Sequence, residues 1–204
     1  MRRSGSRLGW LRSALLVVLA LPAEARAHAA MQGVNHFMSG VLHPLMTPAH
    51  VLILLGLSLA LGQQVPLKLR LPLLVFPPLL ALALALTMGL TFTVPQPVLI
   101  VVALCAGAVV ALGRQLPPFG TVTLFAAGAL AMGLDSGVET GGIGSVIQTL
   151  LGTWIGLVVF LLSLAYYASL AAEQKRKWLH IGLRVMGSWI VAISLLMLAF
   201  ALRK

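Results

Sequence analysis

Acidic side chains are almost missing from this chain: Glu24, Asp135, Glu139 and Glu173 are the only four among 204 residues. Charged residues of both signs together reach only 9%. So low a charge density leaves a water-soluble domain without a surface, and a core of this size cannot hide the 60% of residues that are hydrophobic. A single cysteine, Cys105, excludes a disulfide framework and offers no thiolate cluster for zinc or iron–sulfur chemistry. It lies in the apolar run 98–113 and reads as a small buried apolar residue. Also missing are a Gly-x-x-x-x-Gly-Lys-Ser/Thr phosphate loop, a His-Glu-x-x-His motif and any Ser/His/Asp grouping. The chain is therefore not expected to hydrolyse ATP by itself, nor to be an enzyme.

What the chain does have is long apolar runs, with a mean hydropathy of +1.04. Crossing a hydrocarbon core takes ~20 mostly apolar residues per helix. Runs of suitable character cover residues 34–61, 71–91, 98–112, 119–134, 143–170 and 178–202. The expected fold is an all-α polytopic membrane protein with about six transmembrane helices, preceded by a cleavable signal peptide. The fourth run is short and carries Gly128 and Gly133, which allow close helix approach and place it inside the bundle.

Arg2, Arg3, Arg7 and Arg12 precede the apolar run 13–21, after which come Pro22 and the small-residue pattern Ala25-Arg26-Ala27. That order of charged, apolar and small residues is the order of a secretory signal, and its core is too short for an ordinary span. Residues 1–27 are thus expected to be removed, which leaves residues 28–204 as one transmembrane domain beginning at His28.

A net charge of +10 does not imply nucleic acid as a partner, because the basic residues sit in short loops rather than along a stripe. They report orientation instead. With His28 outside, the loops holding Lys68 and Arg70, Arg114, and Lys175, Arg176 and Lys177 all fall on the cytoplasmic side. The uncharged turn 92–97 and the loop with Asp135 and Glu139 fall opposite, as the positive-inside rule requires. The expected location is the bacterial inner membrane with a periplasmic mature N-terminus.

Four of the five histidines follow the signal closely: His28, His36, His43 and His50. The last three recur every seven residues, a spacing that returns a helix to within ~20° of one face. Polar groups inside a membrane usually face a bundle interior or a water-filled path. A straight helix separates such neighbours by ~10.5 Å, whereas a metal holds nitrogen ligands at ~2 Å. Either the histidines are successive stations on a path, or the helix breaks and two of them converge. Pro44 and Pro48 can supply the break, since each removes a backbone donor and disrupts the preceding turn. A broken helix beside polar residues is the usual architecture of a transporter's substrate site. Neutral imidazole suits Ni(II), Co(II), Cu(II) and Zn(II). The competing account makes these histidines interfacial or structural, bonded to carbonyls or lipid headgroups. A freed amine and imidazole at His28 would add a chelating pair at the mouth of the path. Asp135 and Glu139 would attract cations there, unless they belong only to a solvated turn. His180, alone near the cytoplasmic end of the last run, reads as an interface residue.

The segment Gly33-Val-Asn-His-Phe-Met-Ser-Gly-Val-Leu-His-Pro-Leu-Met-Thr-Pro-Ala-His50 resembles the opening signature of the HupE/UreJ family. Gly40, His43, Pro44 and His50 fit that signature, and Ala49 stands at its Asp position. Ala131-Met132-Gly133-Leu134-Asp135 resembles the family's Ala-His-Gly-x-Glu stretch, with Met132 at the histidine and Asp135 at the glutamate. Arg184-Val-Met-Gly-Ser-Trp-Ile-Val-Ala192 resembles its final helix. The resemblance implies a small permease for nickel, sometimes cobalt, that accompanies hydrogenases and ureases. With the histidine row, the candidate metal ligands are His28, His36, His43, His50, Met132 and Asp135, shaped by Pro44 and Pro48. The metal is cargo, and no permanently bound cofactor is expected. A missing Asp removes the group most suited to orient His50. A thioether at Met132, with Met31, Met38 and Met46 near the histidines, would favour Cu(I), although methionine commonly just fills gaps between spanning helices. Partners are the lipid bilayer and the metal ion. Metalloenzyme maturation proteins and a second copy of the chain are further candidates. A non-transporting scaffold for metalloenzyme assembly is the alternative function.

Overall fold

The computed structural model describes residues 35–89, 94–137, 142–174 and 176–203, and the chain from Asn35 onward forms one compact unit. Seven α-helices and no strand occur among the described residues: α1 (His36–Met46), α2 (Pro48–Gly62), α3 (Arg70–Thr87), α4 (Gln96–Leu112), α5 (Pro118–Leu134), α6 (Ile143–Glu173) and α7 (Lys177–Ala201). The expected signal segment 1–27, His28, Met31 and Glu139 lie outside the described residues.

The first apolar run is two helices because of one dipeptide. A residue before proline is driven out of helical backbone by the proline ring. Thr47, before Pro48, sits at φ −96° and ψ 110°, ending α1 and opening α2. Pro48 is at the start of α2, where its missing N–H would have had no partner within the helix. The two helices meet at 81°.

Pro44 acts differently and stays inside α1. Its missing N–H would have bonded the carbonyl of Gly40, four residues back. That freed carbonyl is met by Oγ1 of Thr153 from α6 at 3.0 Å, a hydroxyl that also lies 3.0 Å from its own helix's Thr149 carbonyl. The approach of α1 to α6 needs two glycines, since a Cβ on Gly40 would collide with the backbone of Thr149 and one on Gly152 with the backbone of Phe37. Thr153→Val keeps the side-chain shape and removes the hydroxyl. It is expected to lower stability by about 1 kcal/mol, read from the thermal unfolding midpoint in detergent; an unchanged midpoint would mean the Gly40 carbonyl does not depend on Thr153.

At the centre is α2, and not the fourth apolar run as its shortness and glycines suggested. Twelve of the 15 residues of α2 are buried, consistent with a helix that is apolar all round. It packs against α1, α4, α5, α6 and α7. By contrast α5 presents only one face to the bundle: Phe125 and Met132 are fully buried while Phe119 is 81% exposed. Gly128 and Gly133 do allow the close approach expected of them, to Leu57 of α2 and Ala83 of α3.

Three helices, α3, α6 and α7, are long and apolar enough to cross a membrane, and the bent pair α1 and α2 makes up to a fourth span. The remaining two, α4 and α5, are shorter apolar helices of 17 residues each. Cys105 is exposed rather than buried. On α4 the inward face is set by Ala103, Ala106, Gly107 and Val110, which leaves Cys105 on the outer side. Arg184 of α7 donates from Nε to the Ala111 carbonyl at 2.9 Å, placing a cation where the dipole of α4 is negative.

Candidate functional site

The break between α1 and α2 turns two histidines toward each other. His43 is in the last turn of α1, and His50 is the third residue of α2. On an unbroken helix their seven-residue separation would amount to ~10.5 Å along the axis. Their ring centroids are 6.4 Å apart with the planes at 76°. Of the two readings left open by the spacing, convergence describes this pair. His36 does not join it: as the first residue of α1 it is exposed, and the bend removes the common stripe that a straight helix would have given all three.

A carboxylate completes the arrangement from the far side of the sequence. Asp135 caps the C-terminus of α5, its backbone N–H directed at the carbonyls of Ala131 and Gly133. Its Oδ2 lies 3.0 Å from Nε2 of His50. The contact has ion-pair distance without hydrogen-bond alignment, because neither ring nitrogen of His50 has a hydrogen-bond partner. The His50 side chain is 0% exposed and that of Asp135 22% exposed, so the site opens past the carboxylate. Asp135 is therefore not a freely solvated turn residue. It supplies the acidic neighbour that Ala49, buried beside His50, does not.

A buried imidazole with no hydrogen bond at Nδ1 and only an unaligned carboxylate at Nε2 is costly in an apolar interior. Such a group is poised to take a ligand. A metal at ~2 Å from one nitrogen of each ring sits about 3 Å from each centroid, so the 6.4 Å separation lies slightly beyond the reach of one ion and a small turn of either side chain would bring both rings onto it. Among the described residues no three His, Cys, Asp or Glu side chains converge as a metal-ligand group. The expected set of six ligands thus reduces, in the described part, to His43 and His50 with Asp135 against His50.

Met132 is fully buried within the apolar core, where α5 packs on its neighbours. Met38 and Met46 are exposed. His180 is exposed, with Nε2 3.0 Å from the Gln174 carbonyl, in keeping with its reading as an interface residue. Sequence reasoning missed Ser136, which is buried and donates to the Met132 carbonyl at 2.7 Å, fixing the turn that carries Asp135. It also missed the pairing of Asp135 with His50. The one available signal was scarcity, since any acidic residue directly after an apolar run is unusual in so apolar a chain.

The family model described as HupE / UreJ protein matches residues 16–197. The chain belongs to the HupE/UreJ family. No curated protein and no solved structure matches it. The match spans every helix that contributes to the histidine site. It also includes Ala49, Met132 and Asp135.

Proposed function

We propose that this HupE/UreJ protein is a secondary carrier for a divalent transition metal, Ni(II) first and Co(II) next, taken from the periplasm across the bacterial inner membrane. In this reading the signal is removed after Ala27, and α1 with α2, α3, α4, α5, α6 and α7 make six spans, the 17-residue helices being at the short end of the spanning range. The observation that carries the reading is His50: fully buried, without a hydrogen bond at either ring nitrogen, and set at a helix break between a second imidazole and the Asp135 carboxylate 3.0 Å from its Nε2.

In the proposed mechanism the ion approaches past Asp135, whose charge favours cations, and exchanges water for the nitrogens of His43 and His50. Asp135 then orients His50 through the far side of the ring. Two protein ligands are few for a storage site. They suit passage, because conduction needs binding strong enough to enter and weak enough to leave. His28, if freed as the N-terminus, adds donors at the mouth.

Copper is the weaker cargo, since Met38 and Met46 are exposed and Met132 is in the core. Met132→Leu, a nearly volume-conserving exchange, is expected to leave nickel uptake within about twofold of the wild type. A loss of tenfold or more would return the thioether to the ligand set. The competing reading, a non-transporting scaffold for metalloenzyme assembly, draws on the missing third ligand. Uptake of labelled nickel, cobalt and copper by cells with and without the protein separates the two. Failure to accumulate any metal, in cells where the protein is folded in the membrane, leaves the scaffold reading ahead.

A further inference from the structure

The end of the bundle away from His50 carries a basic pocket that the metal path does not use. Along α2, Gly62 lies about 18 Å from His50. Just beyond it is a pocket of about 250 Å³ lined by Gln64, Lys68, Arg70, Leu116, Pro118 and Thr121 among others. Two helices begin at its rim, α3 at Arg70 and α5 at Pro118, and neither has a side-chain cap. Uncapped N-termini present free N–H groups and the positive end of the helix dipole. Lys68 and Arg70 form no salt bridge among the described residues. Gln64 is only 5% exposed and lines this pocket. An amide on so buried a residue, beside Lys68 and Arg70 and between two helix starts, makes this pocket fit an anion.

The pocket does not end in protein. Leu116 also lines a groove of about 450 Å³ between α4 and α5, walled by Cys105, Phe119, Thr123 and Leu124 with other apolar residues. A free phosphate accounts for the pocket and leaves the groove unexplained. An acyl chain alone accounts for the groove and leaves the charge unexplained. We propose that the two together bind one anionic phospholipid, its phosphate on Lys68, Arg70 and the Gln64 amide and one acyl chain along the groove beside Phe119. Basic pockets between membrane helices are suited to such headgroups, and the apolar groove fixes the depth at which the phosphate rests.

The test is native mass spectrometry of the purified full chain in detergent, titrated with phosphatidylglycerol or phosphatidylcholine of identical acyl chains. Phosphatidylglycerol is expected to be retained roughly tenfold more tightly. The Lys68→Gln/Arg70→Gln double variant should reduce that preference below about twofold; both side chains are exposed, so folding is not at stake, and Lys68→Gln alone should show part of the effect. Thr123→Trp, at an exposed position lining the groove, should weaken phosphatidylglycerol retention while binding of inorganic phosphate, measured by calorimetry, is unchanged. Equal retention of the two lipids by the wild type overturns the proposal, as does a preference that survives the double variant. Phosphate binding with phosphatidylglycerol retention untouched by Thr123→Trp assigns the pocket to a free anion and overturns the lipid.

Discussion

Replacing His50 by leucine is expected to raise the protein's thermal stability and to cut nickel uptake by roughly tenfold or more, the change produced by losing only about 1.4 kcal/mol of binding. The two effects run in opposite directions for one physical reason. His50 is fully buried, Nδ1 has no partner and Nε2 meets only the unaligned Asp135 carboxylate, so the native state bears the cost of desolvating Nδ1 and part of that for Nε2. Leucine fills comparable space with no polar atom, and relief of an unsatisfied buried group is worth about 1–3 kcal/mol. If the imidazole exists to hold cargo, removing it stabilises the fold and ends the function, the trade commonly found at functional sites. His43→Ala should lower uptake by a similar factor, whereas His36→Ala should stay within about twofold, because His36 is exposed at the start of α1 and apart from the pair. Unfolding midpoints and labelled-nickel uptake measured on the same variants decide the matter. A destabilised His50→Leu that still transports would show a structural histidine and end the metal-path reading.

The helical architecture was legible because apolar helices are written in composition, and among the described residues the six expected runs recur as helix. The break in the first run was legible too, since Thr47-Pro48 cannot continue a helix and Pro44 cannot complete one. Seven-residue spacing, however, describes neighbours only on a helix that stays straight. Once the chain bends by 81°, the same three histidines separate into a facing pair and an exposed outlier, and no count along the sequence distinguishes the two outcomes. Asp135 is 85 positions beyond His50, and its arrival depends on α5 packing against α2 and α3 at Gly128 and Gly133. The glycines were visible; which helices they approach was not. Cys105 shows the same limit on a smaller scale, because an apolar run conceals which of its faces meets protein and which meets lipid.

Asp135→Ala is expected to lower nickel affinity, and uptake at limiting nickel, by about 10–100-fold, the usual effect of removing a carboxylate that supports a ligating histidine. The size of the effect follows from position: Oδ2 is 3.0 Å from a ring nitrogen of a histidine that no other group holds. Asp135→Asn should fall almost as far, since it keeps the shape and loses the charge, while Asp135→Glu should retain part of the activity. The decisive variant adds Ala49→Asp to Asp135→Ala. Position 49 directly precedes His50 and is the place where the family signature carries its Asp, so a carboxylate returned there should recover a substantial part of the lost uptake. Recovery would show that one acidic partner for His50 is required and that its origin, from α2 or from α5, is interchangeable. Uptake unaffected by Asp135→Ala would reduce the carboxylate to a cap on α5. Loss in Asp135→Ala with no recovery, in a protein of undiminished unfolding midpoint, would mean that Asp135 meets the ion itself at the opening of the site, where its side chain is 22% exposed.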